Sequence, residues 1–241
     1  MEKKKIVILG GSGSIGSAIA KEVYKEGYIP HIISRNELVL KDISKKIDCP
    51  YSVADVLDPD NLRNCLENIN ENVFGLAYCV GSINIKSILS SIEKEYIDSY
   101  RLNTLGAVTS IQSLIPNLKK NNGSILLFSS VAVQQGFSNH TIISTAKGAI
   151  EGLTLSLAAE LSPDIRVNCI APSLTESKMS ENILSNESIK KAIELIHPIP
   201  KLGIGKDYSK LAAFLLGEDN KWITGQIIHV DGGRSTLRKK G

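Results

Sequence analysis

Ile6-Val7-Ile8-Leu9-Gly10-Gly11-Ser12-Gly13-Ser14-Ile15-Gly16 is the stretch on which the fold turns. Four apolar residues in a row, three of them β-branched, read as a buried strand that stops at glycine. From Ile15 to Glu26 the apolar residues Ile15, Ala18, Ile19 and Val23 fall at helical spacing, and Gly27 ends the run. Strand, glycine turn and helix follow one another without a linker. Glycines there allow a sharp bend and let the backbone approach a pyrophosphate, whose charge the free N–H groups at a helix start favour. The alternative is a turn that only caps the helix.

Outward from this unit the chain alternates short apolar runs with longer amphipathic ones. Strands are expected at Ile29 to Ser34, Tyr51 to Val53, Val73 to Val80, Ser124 to Phe128, Ile165 to Ile170 and Gln226 to Val230. Helices are expected at Glu37 to Ile47, Pro59 to Ile69, 92 to 118, 146 to 161 and 207 to 216. Such alternation predicts an α/β fold, a doubly wound Rossmann-type sheet of about seven mostly parallel strands with helices on both faces. No repeat or low-complexity segment breaks it, so residues 1–241 read as a single domain. The stretch 173–205, with Met179, Ile183, Leu184, Ile193, Leu195 and Ile196, reads as a partly apolar lid-like insertion.

The 241 residues, 42% of them hydrophobic, suffice for one substantial core. The net charge of +3 is concentrated at the ends, in Lys3-Lys4-Lys5 and Arg238-Lys239-Lys240. With only 5% aromatic residues and no basic stripe, these read as solvated termini, and no nucleic-acid partner is expected. Cys49, Cys65, Cys79 and Cys169 form neither a Cys-x-x-Cys pair nor a zinc-like spacing with the histidines, which predicts reduced thiols, no metal and a cytoplasmic location. No apolar run approaches the ~20 residues that span a bilayer, so no membrane partner is expected.

Several motifs, in order, resemble the short-chain dehydrogenase/reductase family. Gly10 to Gly16 is similar to the family's Gly-x-x-x-Gly-x-Gly, with Ser14 where the middle glycine is usual. Tyr78-Cys79-Val80-Gly81 keeps only the glycine of the family's Asn-Asn-Ala-Gly. Asn103, in Arg101-Leu102-Asn103-Thr104, matches the asparagine that helps hold a proton-relay water. Ser130, followed by Ile143-Ser144-Thr145-Ala146-Lys147, matches the family's serine and Tyr-x-x-x-Lys, with isoleucine at the tyrosine position. Arg166 to Ser173 and Val230-Asp231-Gly232-Gly233 resemble the family's last two strands.

The resemblance implies a nicotinamide cofactor held by Gly10, Ser12, Ser14, Ile15, Gly16, Ser34, Arg35, Asp55, Val56, Gly81, Lys147, Pro172 and Thr175, with Ser177 near the diphosphate. It implies a catalytic set of Ser130, Lys147 and Asn103, a small-molecule carbonyl or alcohol substrate, and a homodimer or homotetramer packed through the helix of Lys147. Ser34-Arg35-Asn36 ends the second strand with a cation and no acid, which favours NADP(H); Glu37 keeps NAD(H) open. Asp55 reads equally as an adenine contact or a turn cap.

Ile143 offers no proton at any pH. A phenol titrates at ~10 and needs a nearby ammonium to bring it toward working pH. Losing a positioned acid forfeits ~100- to 10,000-fold in rate. Substitutes are His140, Ser144, Thr145, or a water held by Ser130 and Lys147, with His140 first by its ordinary acidity. Two readings follow: an NAD(P)-dependent oxidoreductase with atypical proton donation, or a cofactor-binding sensor, scaffold or pseudo-enzyme. A lyase or isomerase reusing the fold is a third.

Overall fold

The computed structural model describes residues 3–69 and 72–238. β1 (Lys5–Leu9) is followed by α1 (Ser14–Lys25), β2 (Ile29–Ser34), α2 (Glu37–Ile47), β3 (Tyr51–Val53), α3 (Pro59–Glu67) and β4 (Val73–Tyr78). After these come α4 (Glu93–Tyr100), a π turn (Arg101–Leu105), α5 (Gly106–Lys120), β5 (Ser124–Phe128), α6 (Thr141–Leu161) and β6 (Arg166–Pro172). Then follow α7 (Glu181–Leu184), α8 (Glu187–Leu195), α9 (Gly205–Leu216) and β7 (Ile227–Val230). The strands form one 7-stranded sheet in the order β3-β2-β1-β4-β5-β6-β7, every neighbour parallel. This is the doubly wound Rossmann-type architecture expected from the alternation.

Side-chain alternation along β1 divides the core in two. Val7 and Leu9 join one buried cluster with Leu114, Leu118 and Ile150 of α5 and α6. Ile6 and Ile8 join the other, with Ile19 and Val23 of α1 and Leu215 of α9. All four are fully buried, which is why this strand reads as a continuous apolar run. Chain direction across the sheet reverses between β1 and β4, and a crevice at that point is where ligands bind in sheets of this kind.

Local chemistry sets the helix starts. Asn36 caps α2 by accepting from Val39 N at 3.2 Å, and Asp58 caps α3 by accepting from Asn61 N at 3.1 Å, just before Pro59. α9 begins against α1: a Cβ on Gly205 would run into the Ser14 carbonyl, so the two helices meet backbone to backbone at this point, beside the Ala18 methyl.

The expected elements need correction at several points. α6 begins at Thr141, not 146, so Ile143, Ser144 and Thr145 lie in its first turns and His140 is its N-cap. The expected helix over 92 to 118 is interrupted by the π turn, whose Leu102 carbonyl accepts from Tyr78 of β4 and whose Thr104 side chain donates to α6. Val80 lies beyond the end of β4, and α3 ends before Asn68 and Ile69. The basic start is not loose: Lys4 Nζ lies 2.6 Å from Glu218 Oε1 and 4.5 Å from the Phe74 ring centroid. Lys239 and Lys240 lie outside the described residues. Among the described residues, no helix is long and apolar enough to cross a membrane.

Candidate active site

A cleft of about 670 Å³ opens at the carboxyl ends of β1, β2 and β4. Gly10, Ser12 and Gly13 form its floor, and Ser34, Arg35, Asp55 and Val56 one flank. Gly10 has φ +77, and a Cβ there would meet Cys79 C and O at 2.9 Å; a Cβ on Gly16 would meet Gly10 O at 2.4 Å. Space therefore requires glycine at both positions, and at Gly10 the bend requires it as well. Gly13 caps α1 without a side-chain hydrogen bond, which leaves the helix's first N–H groups for an anion. This cradle and the polar flank fit a dinucleotide. Ser14, Ile15 and Gly16 stand behind the floor as the first turn of α1 and do not line the cleft.

Arg35 Nη1 lies 3.6 Å from Asp55 Oδ2 across the flank. Asp55 Oδ1 also accepts from Leu57 N at 3.0 Å, so the turn-cap reading of this aspartate holds alongside its place in the cleft. Glu37 Oε1 lies 2.9 Å from Lys41 Nζ. The Lys41 hydrogen bond and charge hold the Glu37 carboxyl below its ordinary range. Two lining residues carry no sequence signal of their own, Leu38, which is 79% exposed, and Leu102; Met179 comes from the segment 173–205 that the sequence marks out. An apolar residue on the solvent face of α2 was the one available hint.

Deeper in, the π turn is fixed at three consecutive residues. Tyr78 OH donates to Leu102 O at 2.6 Å. Asn103 Nδ2 donates to Ser99 O at 2.9 Å and to Ser82 Oγ at 3.2 Å. Thr104 Oγ1 donates to Ala146 O at 3.0 Å, next to Lys147 in α6. Tyr78 occupies the first asparagine position of the family motif, and desolvation raises its pKa, so it stays a donor. Asn103 is fully buried, and its Oδ1 has no hydrogen-bond partner. A Cβ on Gly81 would lie 3.1 Å from Asn103 Oδ1 and 3.3 Å from Lys147 Nζ. The bare backbone of Gly81 thus leaves room where an unmatched acceptor and an ammonium face the same point.

Lys147 is buried and donates to Phe128 O at 2.8 Å. Burial pushes its ammonium down to about 8, against the opposing influence of the Cys169 and Cys79 thiols. Of the two serines that follow β5, Ser129 donates to Glu151 Oε1 at 2.6 Å. Ser130 is half-buried and accepts from Ala132 N at 3.2 Å.

Ile143 is 5% exposed. The nearby hydroxyls are committed elsewhere: Ser144 Oγ donates to Ala132 O at 2.8 Å, and Thr145 Oγ1 to Thr141 O at 3.0 Å and Ile142 O at 2.9 Å. Neither is a free proton source. His140 Nδ1 is 2.7 Å from Ser138 O, and its ring meets Phe137 edge-on at 5.3 Å.

Pro172 ends β6, and Thr175 lies apart from the cleft, its Oγ1 2.7 Å from Tyr208 OH. Ser177 Oγ is 3.3 Å from Ser180 Oγ. Ser173 Oγ is 2.8 Å from His197 Nε2. These groups hold the base of the lid. The four cysteines are unpaired, and among the described residues no cluster of His, Cys, Asp or Glu could hold a metal ion.

Comparison with known proteins places these observations in context. The family profile described as Enoyl-(Acyl carrier protein) reductase matches residues 10–235. A 3-oxoacyl-(acyl-carrier-protein) reductase of Buchnera aphidicola is 32% identical over 240 residues, 96% of this chain and 97% of that protein. A chloroplastic tropinone reductase homolog of Arabidopsis thaliana is 31% identical over 240 residues, 95% of this chain and 74% of that protein. The solved structure of ElxO with NADP bound superposes with a TM-score of 0.89 at 27% identity, covering 98% of this chain and 100% of that one.

The buried ammonium gives a prediction independent of turnover. A lowered lysine pKa means that the unfolded chain binds the proton more tightly, so this residue imposes no penalty above about 10.5, a growing one as pH falls from there to about 8, and a constant one below. The resulting penalty at pH 7 is about 3 kcal/mol. Lys147→Met is expected to unfold at higher urea than the native chain at pH 7, with the gap narrowing to about 1 kcal/mol at pH 10. A pH-independent gap would place the titrating group elsewhere.

Proposed function

Because this chain belongs to the short-chain dehydrogenase/reductase family, we propose that it is an NADP(H)-dependent oxidoreductase acting on a carbonyl or alcohol group of a small molecule, its proton supplied through water. The observation that carries this reading is the meeting of Asn103 Oδ1 and Lys147 Nζ beside the bare backbone of Gly81. A buried acceptor without a donor favours an ordered water, and a buried ammonium titrating near 8 can pass it a proton.

Gly10 and Ser12 would hold the diphosphate, with the first turn of α1 at Ser14, Ile15 and Gly16 supplying the helix field behind them. Asp55 and Val56 would flank the adenine, Ser34 and Arg35 the ribose phosphate, and Gly81, Lys147 and Pro172 the nicotinamide half, while Thr175 is engaged by Tyr208 instead. A reduced nicotinamide supplies hydride when bound. Ser130 orients the substrate oxygen, Lys147 gives up the proton at Nζ, and Asn103 Oδ1 fixes the water between them. Asp55 beside Arg35 tempers the NADP(H) preference, while the pairing of Glu37 with Lys41 supports it. His140 is the weaker proton source, since Nδ1 already faces the Ser138 carbonyl.

One observation favours a second reading, cofactor binding without turnover: the side chain at the family's tyrosine position is aliphatic and buried. A reducing compartment such as the cytoplasm is supported by the unpaired thiols. Self-association through α6 is supported by Leu155, 53% exposed, and by Gly152, which has open space above it.

Titrating NADPH and NADH into the purified protein, followed by fluorescence, is expected to give tighter NADPH binding, and Arg35→Ala is expected to erase the difference; equal affinities in the native chain would remove Arg35 from phosphate recognition. Ile143→Tyr is expected to raise reduction across a broad carbonyl panel by about 100-fold or more. The native rate should fall as pH rises through about 8, because Lys147 donates only while protonated. Brisk native turnover abolished by the tyrosine would refute the water relay. Sedimentation equilibrium is expected to give two or four chains per particle and one chain for Leu155→Glu; a monomeric native protein would reject the α6 interface.

A further inference from the structure

Three segments meet beyond the carboxyl ends of β5, β6 and β7. The turn after β7 is rigid: Asp231 Oδ1 accepts from Gly233 N at 2.9 Å and Oδ2 from Ser235 N at 2.8 Å. Gln135, in the loop leading to α6, donates from Nε2 to Arg234 O at 2.8 Å and Ser235 O at 3.2 Å. From the lid, Ile199 N donates to Gly232 O at 3.0 Å.

At this junction the Arg234 guanidinium lies over the Phe137 ring, 5.1 Å from its centroid. Phe137 in turn meets the His140 ring at 73°. His140 caps α6, three residues ahead of Ile143. Arg234 is half-buried, and among the described residues no carboxylate forms an ion pair with it. The carboxylate closest along the chain, Asp231, is committed to backbone N–H groups of its own turn.

We propose that Arg234 recognises an anionic group at the end of the substrate remote from the reacting carbonyl, which makes the substrate class oxo-acids or their phosphate counterparts. This rests on the oxidoreductase reading above. A guanidinium stacked on an aromatic face keeps its in-plane N–H donors, and these match carboxylate and phosphate in a two-point fork. The stack also holds the side chain in place before the ligand arrives, which lowers the ordering cost of binding. The start of α6, whose N-cap makes no side-chain hydrogen bond, adds a field of the same sign.

Equilibrium binding tests this without relying on turnover. Calorimetry on the NADPH-loaded protein would use a series of oxo-acids from 4-oxopentanoate to 8-oxononanoate, their methyl esters and the matching oxoalkyl phosphates. At least one acid or phosphate should bind about tenfold or more tightly than the corresponding ester. That preference should vanish in Arg234→Ala and Arg234→Gln and survive in part in Arg234→Lys. Acids binding alone would specify a carboxylate site, and phosphates binding equally would specify a general anion site; both support the proposal. No anion preference anywhere in the series, or a preference that both neutral variants retain, would overturn it. NADPH affinity is read in the same samples. Its absence would reject the cofactor reading, and the same Arg234 comparison would then be made with the cofactor omitted.

Discussion

The site hangs on a backbone irregularity tied down from two sides. An extra residue in the helical turn at Arg101–Leu105 breaks the regular ladder, and its groups need partners from elsewhere. Tyr78 supplies one from β4, and Thr104 answers with one of its own to α6. Between these anchors Asn103 is turned inward, with a carbonyl oxygen that nothing in the protein satisfies. β4, the turn and α6 thus act as one rigid unit. Lys147 owes its placement to that unit as much as to its own helix.

The architecture was legible because its signals are local. Three β-branched residues at Ile6, Val7 and Ile8, followed by Gly10, can be read within a dozen positions, and burial from Ile6 to Leu9 on both faces leaves no polar residue inside that run. The start of α6 was not legible, because His140 makes no side-chain cap and so leaves no cap signature at 140. The π turn was equally hidden: the hydroxyl that reaches its Leu102 carbonyl belongs to Tyr78, 24 positions away. The second-sphere roles of Ser144, Thr145 and Thr175 depend on which acceptor each hydroxyl finds, which spacing does not encode. Arg234 belongs to the same class, since Gln135, which fixes its backbone, stands 99 positions earlier.

Electrostatics at the two ends of the site run in opposite senses. On the cleft's flank, exposed charges offset one another, Arg35 against Asp55 and Glu37 against Lys41. Pairs so exposed to solvent are weak and easily exchanged for another partner. Around Lys147 the charge is enclosed and the local groups are neutral thiols, pushed up to about 12 by burial. A proton there is loosened by burial and kept by the hydrogen bond to the Phe128 carbonyl, not by a counter-ion.

The contact between Gly205 and the carbonyl of Ser14 has a consequence for genetics. The start of α9 rests directly on the first turn of α1, backbone on backbone, with only the short Ala18 side chain beside it. A methyl group introduced at 205 would shove both segments apart. Its carrier would resemble a mutant of the glycine loop, although the altered position lies some 190 places downstream and outside the cleft.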